Sequence, residues 1–239
     1  MSKPQLFCFT YAGGNSSFFD LIEKDLPEFE LVKLEYAGHG TRHREPCCQS
    51  FDELSEDVYC RLRERYFGGD YALFGYSMGT ITLVEILKRI LDEPAMKAPF
   101  HVFLAAHEPH SKLELSGFAF EESDEWVKAR TIRFGAVPEK LKNNKSFWRM
   151  YLPLYRADYS MIARYKFDGL ALHTTVPATI FYSEADTPRQ EMELWKNYFT
   201  GECAYHEFPG NHFFIQEHHS DMARLMNSKI PPRGEDHGF

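Results

Sequence analysis

Tyr71-Ala72-Leu73-Phe74-Gly75-Tyr76-Ser77-Met78-Gly79 is the stretch that sets the fold. The apolar run Tyr71 to Phe74 predicts a buried strand, and Thr80 to Leu91 predicts a helix that follows at once. Between them lies a tight turn with a serine at its centre. Strand, turn and helix in this order make a nucleophile elbow, a strained turn that exposes the serine hydroxyl at the top of a sheet. Gly75 and Gly79 suit it, because strand and helix approach too closely there for a Cβ. The bare G-x-S-x-G pattern also arises by coincidence, with an idle serine in a glycine turn. The flanking elements, and what the rest of the chain supplies, decide between the two.

Upstream, Gln5 to Thr10 reads as a buried strand that breaks into Tyr11-Ala12-Gly13-Gly14-Asn15-Ser16. The glycines allow a sharp turn whose N–H groups can point into a cavity. Asn15 or Ser16 can cap a helix beginning near Ser17. This is either a plain strand-to-helix loop or half of an oxyanion hole. In elbow architectures the second oxyanion donor comes from an earlier strand–helix loop. Phe29 to Leu34 reads as the next strand and ends in Tyr36-Ala37-Gly38-His39-Gly40-Thr41-Arg42. His39 is set aside as a base, since it precedes the serine. Ser50 and Glu53 form a capping box ahead of a helix with Phe51, Leu54, Val58 and Leu62 on one stripe.

Downstream, Pro94 and Pro99 bracket a loop, and His101 to Ala106 is another buried strand. Alternating strands and helices predict a parallel sheet covered on both faces. Pro109 to Leu172 interrupts the alternation. It has helical patterns at Asp124–Arg133 and Phe147–Tyr165, the second interrupted by Pro153. Its large apolar residues, among them Trp126, Phe134, Trp148, Met150, Leu152 and Tyr155, suggest a lid with a subset lining an acyl pocket. Alternation resumes with a strand at Ala178–Ser183, a helix at Arg189–Phe199, a strand at Cys203–Phe208 and a helix at Gln216–Asn227. The expected organisation is one α/β domain over 1–230, a lid insertion at about 110–172, and a frayed tail at 231–239.

A serine hydroxyl is a weak nucleophile until a base takes its proton, and a carboxylate usually orients that base. In this architecture the chain order is Ser, Asp or Glu, then His. Asp186 follows the penultimate strand and His212 the last, where open α/β sheets gather their sites. Glu184 is the nearest rival to Asp186. His206 reads as a solvent-face residue of the last strand, His218 and His219 lie in the final helix, and Asp158 and Asp168 belong to the lid.

Composition narrows the class. The chain has 239 residues, 44 % apolar and 15 % aromatic, enough for a sizeable core. A net charge of -8 disfavours a general nucleic-acid or anionic-membrane binder. The five cysteines (Cys8, Cys47, Cys48, Cys60, Cys203) form no CxxC pair and no even framework, so a reduced cytoplasm is expected. No apolar run approaches the roughly 18 residues of a membrane span, and no signal-peptide pattern opens the chain.

Several segments together resemble the type II thioesterases of polyketide and nonribosomal peptide synthesis, within the α/β-hydrolases. Tyr11-Ala12-Gly13-Gly14 is similar to P-[YWH]-A-G-G, Ala37-Gly38-His39-Gly40-Thr41-Arg42 to P-G-R-G-x-R, and Phe74-Gly75-Tyr76-Ser77-Met78-Gly79 to F-G-H-S-M-G. Leu152-Pro153-Leu154-Tyr155-Arg156-Ala157-Asp158 is similar to L-P-x-L-R-A-D, and Gly210-Asn211-His212-Phe213-Phe214 to G-G-H-F-F. The resemblance implies an α/β-hydrolase fold with Ser77 as nucleophile, His212 as base and Asp186 as its orienter. It also implies an oxyanion hole from the backbone N–H groups of Ala12 and Met78. It implies hydrolysis of acyl groups from the phosphopantetheine thiol of acyl- or peptidyl-carrier proteins. No cofactor is expected, since the pantetheine belongs to the substrate, and the expected state is a monomer. The chain departs from the pattern at Thr10, Ala37, His39, Tyr76 and Asn211; Tyr76, beside the nucleophile, is expected to alter the pocket. Two other readings remain: an esterase or lipase acting on oxygen esters, and a catalytically silent binding module.

Overall fold

Alternate residues of each strand feed two separate cores, one on each face of a single sheet. The computed structural model describes residues 3–93, 96–109, 123–166 and 172–232. Pro94, the stretches 110–122 and 167–171 of the expected lid (Asp168 included) and residues 233–239 of the expected tail lie outside the described residues. The strands are β1 (Gln5–Phe9), β2 (Glu30–Lys33), β3 (Tyr71–Tyr76), β4 (His101–Ala105), β5 (Ala178–Tyr182) and β6 (Cys203–Glu207). They run in the order β2-β1-β3-β4-β5-β6, and every neighbouring pair is parallel. The helices are α1 (Asp20–Glu23), α2 (Phe51–Arg65), α3 (Met78–Asp92), α4 (Asp124–Phe134), α5 (Lys145–Arg164), α6 (Arg189–Met192) and α7 (Ile215–Asn227).

The period-2 side-chain alternation sorts the strands cleanly. Phe7, Phe9, Leu73, Leu104 and Ile180 join α2, α3 and α5 in one core. Leu6, Cys8, Phe74, Phe103 and Phe181 join α1 and α7 in the other. Both faces are therefore covered, as the near-continuous apolar strands at the centre of the sheet require.

The topology fixes where a site can form. β2 lies on one side of β1 and β3 on the other, so the chain reverses its winding between β1 and β3. Loops leaving the carboxyl ends of those two strands diverge there and open a crevice. Ser77 stands at that point, with φ 55° and ψ -120°. Its N–H donates to the Ala105 carbonyl at 2.8 Å, which pins the elbow to β4. A Cβ on Gly79 would fall 1.9 Å from the Phe9 carbonyl oxygen, and one on Gly75 would fall 2.4 Å from the Gly79 carbonyl oxygen. Helix, elbow and β1 touch backbone to backbone, and only glycine allows it.

Several boundaries differ from the sequence reading. α3 begins at Met78, directly after the serine, rather than at Thr80. α5 runs unbroken through Pro153. The proline is exposed on the outer face, while Trp148, Leu152, Tyr155 and Tyr159 are buried on the inner one. That packing outweighs the roughly 3 kcal/mol a mid-helix proline costs. The expected helix at Arg189–Phe199 is one short α turn followed by a 3-10 helix, Glu193–Asn197. At α2 the Ser50 hydroxyl caps Glu53 N–H at 3.2 Å, but the Glu53 carboxylate reaches past Ser50 to Gln49 N–H at 2.8 Å. His206, read as facing solvent, is half-buried with its ring 6.1 Å from that of Phe181 on the neighbouring strand β5.

Candidate active site

Three loops converge at the carboxyl end of the sheet. The elbow after β3 delivers Ser77, the loop after β5 delivers Asp186, and the loop after β6 delivers His212. His212 Nε2 lies 2.8 Å from Ser77 Oγ, and His212 Nδ1 lies 2.7 Å from Asp186 Oδ2. A carboxylate only accepts, so Nδ1 carries the hydrogen and the Nε2 lone pair faces the serine hydroxyl. That tautomer can take the serine proton. Glu184, the rival acid, is exposed, and its carboxylate accepts the Arg189 backbone N–H at 3.0 Å.

Short bonds hold the loops in place. Ser183 Oγ donates to the Gly210 carbonyl at 2.6 Å, tying the Asp186 loop to the His212 loop. Asn211 Oδ1 accepts the Phe213 N–H at 2.8 Å and tightens the turn around His212. The Phe134 ring at the end of α4 packs 4.8 Å from the His212 ring. Tyr76, beside the nucleophile, does not itself line the pocket: it is fully buried beneath the site, its ring stacked on the pocket residue Phe213. Its hydroxyl donates to the His212 carbonyl at 2.8 Å. As part of β3 its side chain must leave the sheet on the side opposite its neighbours, which takes it under the His212 loop. Burial raises its phenol well above the ordinary range.

Ala12 lines the same pocket as Ser77 and His212. Among the described residues, neither the Ala12 nor the Met78 backbone N–H has a hydrogen-bond partner. Met78 is the first residue of α3, where N–H groups are left over by helix geometry and the dipole favours negative charge.

The pocket holds about 220 Å³. Of the large apolar lid residues singled out from the sequence, Phe134 alone lines it. Trp148, Leu152 and Tyr155 are core residues, Trp126 is half-buried against that core, and Met150 is 68 % exposed. The other walls come from Ala106, His107 and Glu108 after β4, and from Arg130, Tyr159 and Ile162 on the two insertion helices. Ala106 has φ 55°, a second strained non-glycine residue beside Ser77. Sequence reading missed this wall, although the carboxyl end of a central strand was the place to look. The Arg130 guanidinium lies over the rings of Phe134, Trp126 and Tyr159 at 4.8, 5.3 and 5.8 Å. Burial lowers its pKa to about 10, so it remains a cation at neutral pH.

His39 lies outside the site, 2 % exposed and paired with Asp158. His218 Nε2 faces the Pro209 carbonyl, and His219 faces Asp25. Lys142, Lys145 and Arg149 border a separate groove with Lys128 and Asp124 at the start of α5. All five cysteines are free thiols. Among the described residues no cluster of His, Cys, Asp and Glu could hold a metal, and no helix is long and apolar enough to cross a membrane.

Comparison with known proteins adds to this geometry. A family model described as a thioesterase domain matches residues 4–230. The chain is 28 % identical over 219 residues to the medium-chain S-acyl fatty acid synthase thioesterase of Rattus norvegicus, covering 89 % of this chain and 82 % of that one. RedJ, a thioesterase from the prodiginine biosynthetic pathway in Streptomyces coelicolor, superposes with a TM-score of 0.86 at 27 % identity, over 96 % of this chain and 86 % of RedJ. ClbQ, from the colibactin nonribosomal peptide/polyketide pathway, superposes with a TM-score of 0.85 at 27 % identity, over 95 % of this chain and 97 % of ClbQ.

Proposed function

This chain belongs to the thioesterase domain family, and on that premise we propose that it is a type II thioesterase. It hydrolyses acyl groups from the phosphopantetheine thiol of carrier proteins in polyketide or nonribosomal peptide synthesis. The observation that carries this is the Ser77–His212–Asp186 chain of hydrogen bonds in the lining of the pocket, in a sequence matched along nearly its whole length by the thioesterase model. The pathways of RedJ and ClbQ support the carrier-bound substrate.

Ser77 Oγ attacks the thioester carbonyl while His212 Nε2 takes its proton. The resulting oxyanion is held by the N–H groups of Ala12 and Met78; one such donor is typically worth about 10²–10³ in kcat. His212 then gives its proton to the departing pantetheine thiolate, leaving an acyl-Ser77 ester. Water, deprotonated by His212, attacks that ester; as the intermediate collapses, His212 returns the proton to Ser77 Oγ and the acid is released. Every step uses side chains, backbone and water, so the scheme calls for no metal or redox cofactor; the pantetheine arrives with the substrate. We assign the acyl chain to the pocket between the loop after β4 and helices α4 and α5, which act as a lid.

The groove with Lys128, Lys142, Lys145 and Arg149 is the face we assign to an acidic carrier domain. Reversing Lys145 and Arg149 to glutamate should raise KM for a carrier-bound substrate and leave a small thioester unaffected. The reading as a whole is tested by labelling with a fluorophosphonate and by matched thioester and oxygen-ester substrates. We expect label on Ser77, none after Ser77→Ala, and a higher kcat/KM for the thioester. Preference for the oxygen ester would make the protein an esterase; no label at Ser77 would make it a silent binding module.

A further inference from the structure

Asp158 takes part in none of these steps, yet it is a carboxylate 2 % exposed on the inner face of α5. Its Oδ2 accepts the Gly13 backbone N–H at 2.6 Å and lies 3.0 Å from His39 Nε2. His39 Nδ1 in turn lies 2.9 Å from the Ala37 carbonyl. Both partners of the ring, a carbonyl and a carboxylate, can only accept. With the carboxylate ionised, both ring nitrogens carry hydrogens, and the pair is an imidazolium and a carboxylate.

A second contact falls on the same spot. Tyr155 sits three residues before Asp158 and so on the same helix face. Its ring lies directly on Gly13: a Cβ there would come 2.1 Å from a ring carbon. α5 thus grips Gly13 twice, ring against Cα and carboxylate against N–H. Gly13 is the residue after Ala12 and holds a left-handed φ of 74°. Fixing its N–H fixes the peptide plane that it shares with the Ala12 carbonyl.

We propose that Asp158 is a positioning residue that holds the Ala12–Gly13 turn in its oxyanion-binding shape. Seating of the α4–α5 insertion and completion of the oxyanion hole are then one event. His39 has a defined part in this. A lone carboxylate one peptide from an oxyanion site would repel the developing charge, and the imidazolium cancels it. The inference rests on the oxyanion role given above to Ala12.

The test measures Asp158→Asn and Asp158→Ala against wild type, with a short acyl thioester and with a trifluoromethyl ketone. The ketone adds to Ser77 and places its own oxyanion in the hole. Asn keeps one acceptor for Gly13 but loses the charge, so kcat should fall about tenfold with KM nearly unchanged. Ala removes the acceptor, and the fall should approach the roughly 10²–10³ of a lost oxyanion donor. In each variant the ketone should weaken by the same factor as kcat/KM. A mere packing role would instead lower the melting temperature and leave kcat per folded molecule and ketone affinity together at wild-type values. That result overturns the inference, as does a loss of kcat with no loss of ketone affinity. If the Ala variant does not fold, the Asn variant alone decides by the same two readings. If wild type itself forms no Ser77 adduct with the ketone, the serine mechanism falls and this inference with it. If it does and the variants match it, only this inference falls.

Discussion

Replacing Asp186 with asparagine tests the proposed hydrogen-bond chain at its far end. In the folded protein Asp186 Oδ2 accepts from His212 Nδ1 at 2.7 Å, and this leaves the Nε2 lone pair toward Ser77 Oγ at 2.8 Å. Asparagine has nearly the same shape but can turn its NH2 group toward Nδ1. The imidazole then carries its hydrogen on Nε2, donates to the serine and cannot accept from it. The imidazolium formed in each step also loses its counter-charge. In serine proteases with this arrangement the same change costs about 10⁴ in kcat, or roughly 5.4 kcal/mol at 1.36 kcal/mol per decade. We expect a loss of that order here, with KM for a short thioester within a few-fold. Free thiol release gives kcat, and a thermal melt checks that the variant is folded. Asp186 is half-buried with no other side-chain bond described, so the melting temperature should move by no more than about 2–4 °C, equivalent to 1 kcal/mol. A folded variant that keeps kcat within tenfold of wild type would refute the tautomer argument and return Glu184 as the acid.

Three further outcomes follow from the packing. Tyr76→Phe leaves the His212 carbonyl buried without its 2.8 Å donor, so stability should drop by about 1–3 kcal/mol, read as a lower melting temperature. An unchanged melt would mean that the bond contributes nothing. Gly79→Ala drives a Cβ to 1.9 Å from the Phe9 carbonyl oxygen and should give misfolded protein, whereas Gly69→Ala meets nothing within 4 Å and should fold normally; circular dichroism separates them. Burial by itself depresses the His39 imidazolium, and the facing Asp158 carboxylate overcomes this and raises its pKa from 6.5 to about 9. The titratable groups around that pair are Glu35 and Tyr36 after β2, the Cys47 and Cys48 thiols, and Tyr155 and Tyr159 from α5. Since the folded value is the higher one, the stabilisation is fully present below about pH 6.5 and is lost as pH rises through 9; the gap corresponds to roughly 3 kcal/mol. Melts of wild type and His39→Gln between pH 6 and 10 should converge at the alkaline end, and parallel curves would contradict the pairing.

What could be read from the sequence was what local pattern encodes. Apolar runs of about five residues, each closed by glycine or a polar loop, mark the strands, and their alternation with helices implies the parallel sheet. Ser77, Asp186 and His212 stand out because each lies just beyond a strand, in an order the architecture allows. The unread parts depend on contacts that no window contains. Gly13 and Asp158 are 145 residues apart, and nothing near either one names the other. Tyr76 adjoins Ser77 in sequence, but strand alternation sends it beneath the site, where its bond to the His212 carbonyl is a contact across 136 residues. Pro153 looked like a break because its missing hydrogen bond is a local fact, while the buried stripe that carries α5 past it is a tertiary one. The pocket wall at Ala106 and His107 was hidden because a strained φ leaves no mark in residue type.

The most direct measurement is intact-protein mass spectrometry of an acyl-loaded carrier protein, incubated with wild type and with Ser77→Ala. We expect wild type to return the carrier to its free pantetheine mass and Ser77→Ala to leave the acyl group in place. If wild type strips none of several acyl groups from the carrier and yet cleaves small oxygen esters, the carrier-bound thioester is not its substrate and the proposed function is wrong.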